Sequence, residues 1–170
     1  MKNLVLRYGL YATAITVGIP FIMFFAMGGA ENTDYSLGEV IGYSTIILSM
    51  VFVFLGIKKY RDENNEGAIS FWEALKVGVL IAAVPSLAFG LYNILYVEVM
   101  DPEFMDKYYQ YSIEKAKVTM EAAEFETMKV KMESEKEMFQ NPLIGFVAMF
   151  ITVFLMYQSG VKSLAFRRRL

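Results

Sequence analysis

Four stretches without a charged residue constrain this chain more than any other feature. They cover residues 8–27, 40–57, 77–97 and 143–161, and each is strongly apolar. A bilayer core takes roughly 20 apolar residues in a helix, with about 17–25 tolerated. Each stretch is therefore long enough to cross once, and none is long enough to cross twice. With no water in hydrocarbon, every backbone N–H must be paired within its own segment, which leaves helices as the only workable form. Composition agrees: the 170 residues are 56% hydrophobic and 20% charged, where a soluble domain averages about 45–50% and about 25%. The pattern predicts an all-α fold, a four-helix transmembrane bundle with an extracytoplasmic helical hairpin inserted between transmembrane helices 3 and 4. Residues 1–100 would hold the first three spans, 101–141 the charged helical segment, and 142–170 the fourth span with a basic cytoplasmic tail.

Helix starts carry local signals independent of hydropathy. Ser36-Leu37-Gly38-Glu39 and Ser70-Phe71-Trp72-Glu73 both have the S-x-x-E form of a capping box. Asp101-Pro102 and Asn141-Pro142 each place a capping side chain before a proline whose missing N–H is no loss at the first helical position. Lys2 and Arg7 precede the first apolar run as in a signal peptide, but about 20 apolar residues exceed the usual 7–15 of a cleaved segment, so the run is expected to be a retained span.

Lys and Arg set the orientation. They fall at Lys2 and Arg7, at Lys58, Lys59, Arg61 and Lys76, and at Lys162, Arg167, Arg168 and Arg169, whereas the loop of residues 28–39 has no basic residue. Both termini and the second loop are expected on the cytoplasmic side of a bacterial inner membrane. The long third loop holds six Lys among eleven acids, and long loops translocate largely regardless of charge.

Between membrane helices, small residues let backbones approach. Gly38, Gly42, Ser49 and Gly56 in the second span, and Gly78, Ala82, Ser86 and Gly90 in the third, are candidate helix-packing positions. They serve packing within the chain or a homodimer seam, and the residues alone leave both open. Pro20 and Pro85 are expected to kink the first and third spans. Tyr8, Tyr11, Tyr60, Trp72, Tyr96 and Tyr157 fall where an aromatic belt would sit. Asn93 is the strongest polar group inside a span; an interhelical hydrogen bond explains it, and a polar intramembrane site is the alternative.

Residues 103–140 contain no Gly and no Pro, and Tyr109, Ile113, Ala116, Met120, Ala123, Thr127 and Val130 form one apolar stripe. A single rod of that length would run about 55 Å, yet both ends must return to one membrane face. A reversal is expected near residues 121–126, with a surface-lying helix as the alternative.

The sequence has no Cys and no His, which excludes disulfides, thiolate and imidazole chemistry and the usual zinc ligands. No metal or cofactor site is expected. Glu31, Asp34 and Glu39 could at most bind a hard cation weakly, and Asp62, Glu63 and Glu66 sit where nothing desolvates them. Ser112-Ile113-Glu114-Lys115 has the S-x-x-K form, but its companion elements are missing. The basic tail and Lys58-Lys59 set topology first and contact anionic lipid second, and no nucleic-acid role is expected.

Gly56-Ile57-Lys58-Lys59-Tyr60-Arg61 followed by Gly67, Ile69-Ser70-Phe71, Ala74 and Gly78, with Gly42-Tyr43 before and Pro102, Phe104, Met105 and Tyr108 after, resembles an uncharacterised bacterial membrane protein family, domain of unknown function 4199. The resemblance spans nearly the whole chain. It implies a small multi-pass inner-membrane protein with a charged helical insertion before the last span, and it implies no catalytic residue. The expectation is a non-enzymatic accessory or scaffold protein acting through protein or lipid contacts. Its partners would be the bilayer and a second copy or another membrane protein docked on the extracytoplasmic helices. The alternative is a small transporter or channel subunit using a cavity at Asn93.

Overall fold

The computed structural model describes residues 1–139 and 141–166, so Arg167, Arg168 and Arg169 of the basic tail lie outside the described residues. The elements are helices α1 (Lys2–Thr16), α2 (Gly18–Ala26), α3 (Tyr35–Asn64), α4 (Phe71–Leu95), α5 (Phe104–Thr119), α6 (Ala122–Phe139) and α7 (Pro142–Phe166), with a 3₁₀ turn at Gly29–Asn32 and a π turn at Tyr96–Met100. No strand occurs among the described residues. Three helical stretches are long and apolar enough to cross a membrane: Lys2–Ala26, Tyr35–Asn64 and Phe71–Met100. The described apolar part of α7, Pro142–Gln158, is shorter.

The two prolines act differently. A proline at position 20 removes the N–H that would bond Thr16 and crowds that carbonyl, and the helix breaks at Val17, between α1 and α2. The chain stays helical across the break, since the Val17 N–H donates to the Thr13 carbonyl at 2.8 Å and the Phe21 N–H to the Val17 carbonyl at 3.0 Å. α4, by contrast, runs through Pro85 as one helix.

Helix starts follow the expected chemistry at two sites and depart from it at two. Ser70 and Glu73 form the reciprocal capping box of α4, and the Leu143 N–H donates to Asn141 Oδ1 at 3.0 Å at the start of α7. α3 begins earlier than its expected box: Asp34 is the cap, accepting from the Leu37 N–H at 3.0 Å, which leaves Ser36 inside the helix and Glu39 free for another partner. Asp101 caps nothing with its side chain; α5 starts at Phe104, and the Asp101 carboxylate turns instead to Lys107 at 3.1 Å.

α4 packs along α7, and α1 packs along both α3 and α4. Ile46, Val53, Val77, Ile81, Ala82, Val153 and Tyr157 form the buried centre. Neighbouring side chains press close on three glycines. A Cβ on Gly9 would lie 2.7 Å from Val84 Cβ, one on Gly56 2.5 Å from Ile81 Cδ1, and one on Gly90 2.7 Å from the Phe146 ring. Tyr157, expected at an interface, is fully buried instead. Its hydroxyl lies 3.1 Å from Thr16 Oγ1 and hydrogen-bonds Ser49, which joins α1, α3 and α7 at a buried point where each polar group has a partner. The outer faces are apolar: Ile22, Phe25, Ile47, Leu91, Leu143 and Leu155 are all more than half exposed. A soluble fold would rarely leave so continuous an apolar surface.

The charged segment breaks at Met120, whose backbone is extended (φ −116°, ψ 155°), just ahead of the expected stretch. Lys136 reaches back to Asp106 at 2.5 Å, so α6 returns alongside α5. One extended residue rotates the helix register, and the apolar stripe does not continue across it: Ala116 is buried while Val130 is 65% exposed.

An apolar cavity under a pinned helical roof

The N-terminal part of α3 packs loosely. Gly38 and Gly42 were expected to meet a neighbouring helix, but a Cβ on either would meet nothing within 4 Å. Both line a half-open cavity of about 510 Å³ between α2, α3, α4 and α7, bounded by α5 and α6. That volume lies within the roughly 300–1,000 Å³ typical of small-molecule sites. Its walls are mostly apolar and aromatic, with Met23, Phe24, Ile46, Phe89, Met149 and Met156 among them.

The remaining expected positions divide between packing and cavity. Ser49, Gly56, Gly78, Ala82, Ser86 and Gly90 are buried in the bundle, and the Ser86 hydroxyl donates to the Ala82 carbonyl at 2.8 Å. Asn93 lies on the cavity wall. Its backbone carbonyl accepts the N–H of Tyr96, but its side-chain amide has no hydrogen bond to any described residue. The Tyr109 hydroxyl, also on the wall, is buried without a hydrogen-bond partner among the described residues, which costs free energy that a bound polar group would recover.

Glu39 pins the roof. The Tyr108 hydroxyl donates to Glu39 Oε1 at 2.9 Å and the Lys115 ammonium donates to Oε2 at 3.3 Å. Under these contacts lies an aromatic layer. Phe104 stacks on Tyr108 with centroids 5.6 Å apart, meets Tyr96 edge-on at 5.0 Å, and Tyr35 touches Phe104, Tyr108 and Tyr111. Asp101, 1% exposed, anchors the start of the roof through its pair with Lys107. Lys136 pairs with Asp106 and sits 5.2 Å above the Tyr109 ring.

These contacts shift titration in consistent directions. Burial and the hydrogen bond to Glu39 push the Tyr108 phenol up to about 12. The Lys107 ammonium is raised by Asp101, that of Lys115 by Tyr111 and Glu39, and that of Lys136 by Asp106. Each partner favours the charged form.

Glu31, Asp34 and Glu39 do not converge: Asp34 caps α3, Glu39 holds α5, and no group of three metal-type side chains assembles among the described residues. Lys115, of the S-x-x-K run, is committed to Glu39 and Tyr111. The Glu39 hub and the Tyr157 hydroxyl node were both missed by sequence reasoning. Neither has a local signal, since the partners lie 69 and 76 residues away for Glu39 and 141 and 108 for Tyr157.

Fold and cavity together define an all-helical protein with membrane-length apolar helices around an apolar chamber. The chain belongs to the family described as Protein of unknown function (DUF4199), which matches residues 7–159. No curated protein and no solved structure matches the chain significantly.

Proposed function

We propose that this is a four-span, multi-pass protein of a bacterial inner membrane, with both termini cytoplasmic and α5 and α6 forming an extracytoplasmic hairpin. α7 is the fourth span, and Lys58, Lys59 and Arg61 mark the cytoplasmic side. The protein works without catalysis, by holding a lipid-like molecule in the chamber beneath the hairpin, as an accessory to other membrane components. The observation that carries this reading is the apolar cavity of about 510 Å³ with Asn93, whose amide bonds no described residue, on its wall.

The same cavity favours a second reading, a small transporter whose roof opens to release cargo, over a scaffold built as a dry bundle. Both readings need an occupant. Native mass spectrometry of the protein extracted gently from its own membrane tests this: a bound molecule of lipid mass is expected, and Gly42→Leu should remove it. Recovery of the bare chain, or of an adduct indifferent to Gly42→Leu, contradicts the reading. A stoichiometric second protein in the same spectrum would identify the component that the accessory serves.

A further inference from the structure

We infer that the cavity selects an uncharged amphipathic molecule, an apolar chain or ring carrying a carbonyl or hydroxyl group that pairs with the Asn93 amide, and that it rejects ions and anionic headgroups. The inference rests on the cavity-binding reading above and names its ligand class.

Apolar walls cannot select a ligand inside a bilayer, because lipid tails are as apolar as Leu or Met side chains. Selection has to come from the polar groups on the walls. Among these, Asn93 offers both an N–H₂ donor and a carbonyl acceptor, and neither is used by another described residue. Asn93 lines a cavity sized for a small molecule rather than for an ion.

The charged residues on the walls are already engaged. Glu39 is held by Tyr108 and Lys115, Lys136 by Asp106, Glu135 lies 3.7 Å from Lys131, and Asp34 caps α3. Among the described residues, no spare ammonium or guanidinium on the walls is left for a phosphate, and binding one would mean breaking a pair that holds the roof. A neutral carbonyl or hydroxyl needs only the Asn93 amide and the unpartnered Tyr109 hydroxyl. Two sources share that chemistry, a neutral glyceride and a quinone.

The test is a native mass spectrometry titration of the full chain in detergent. The probes are dioleoylglycerol, decylubiquinone and dioleoylphosphatidylglycerol. One-to-one binding of a neutral probe is expected, with the stronger of the two assigning glyceride or quinone. Asn93→Leu should weaken it about tenfold, and Gly42→Leu, whose side chain enters open space, should abolish it. Gly38→Leu serves as a second blocking variant. If phosphatidylglycerol fills the site blocked by Gly42→Leu, and Asn93→Leu changes nothing, the neutral class is wrong while cavity binding stands. If no probe is sensitive to either blocking variant, both readings fail.

Discussion

Gly42 and Gly56 belong to the same small-residue series on α3, yet they meet opposite surroundings. A methyl at Gly56 would press on Ile81 and the Tyr8 ring, and one at Gly90 would press on Phe146 and its carbonyl, whereas at Gly38 or Gly42 it meets nothing. Gly56→Ala and Gly90→Ala should therefore each destabilise the folded protein by about 1–3 kcal/mol through overpacking. Gly38→Ala and Gly42→Ala should leave stability unchanged or raise it by up to about 1 kcal/mol, because glycine weakens a helix interior. Thermal unfolding in one detergent compares the four variants. Small residues spaced by four and seven announced that α3 has a small-residue face. It could not say which stretch of that face meets a helix and which meets a void, since that depends on where α2, α4 and α7 lie. Tyr157 teaches the same lesson: its position near the end of an apolar run suggested an anchor, while Thr16 and Ser49 make it a buried link.

Local chemistry was more legible at the scale of elements. The Ser70 box and the Asn141 cap stand where their sequence puts them, because capping needs only residues within one turn. The Ser36 box failed to form because Asp34 caps through the Leu37 N–H and starts the helix at Tyr35, which leaves Ser36 inside it. Ser70→Ala should cost about 1 kcal/mol, while Ser36→Ala should stay within about 0.5 kcal/mol; unfolding melts of the two variants separate these outcomes. The roof has its own signature with pH. Lys107, Lys115 and Lys136 have folded pKa values raised above the ordinary 10.5, so their ion pairs contribute fully below that range and are lost as pH rises through the folded values. The Tyr108 phenol, raised to about 12, donates to Glu39 until it ionises, so its contribution is present below about pH 10 and lost toward 12. Hydrogen exchange in α5 is expected to stay slow up to the lysine range and to quicken above it. Glu39→Gln, which keeps the Tyr108 contact but drops the charge facing Lys115, should quicken α5 exchange at neutral pH; unchanged exchange would deny Glu39 its pinning role.

Over the whole molecule, the apolar blocks foretold helices in the right places, since crossing a bilayer dictates both length and composition. A cavity at Asn93 was foretold only as the alternative reading, without its bounds. It exists because the break at Val17, the long N-terminal reach of α3 and the return of α6 over α5 leave space that no single segment encodes. The central claim is that this chamber lies within a four-span bundle beneath an extracytoplasmic hairpin. A chain without cysteine allows a direct test through single-cysteine variants at two exposed positions, Ser134→Cys on α6 and Ala68→Cys in the turn between α3 and α4. Both would be treated in intact cells with a membrane-impermeant maleimide, before and after permeabilisation. The account predicts that Ser134→Cys is labelled from outside and that Ala68→Cys is labelled only after permeabilisation. Labelling of both positions from outside, of neither, or of Ala68→Cys alone would contradict it.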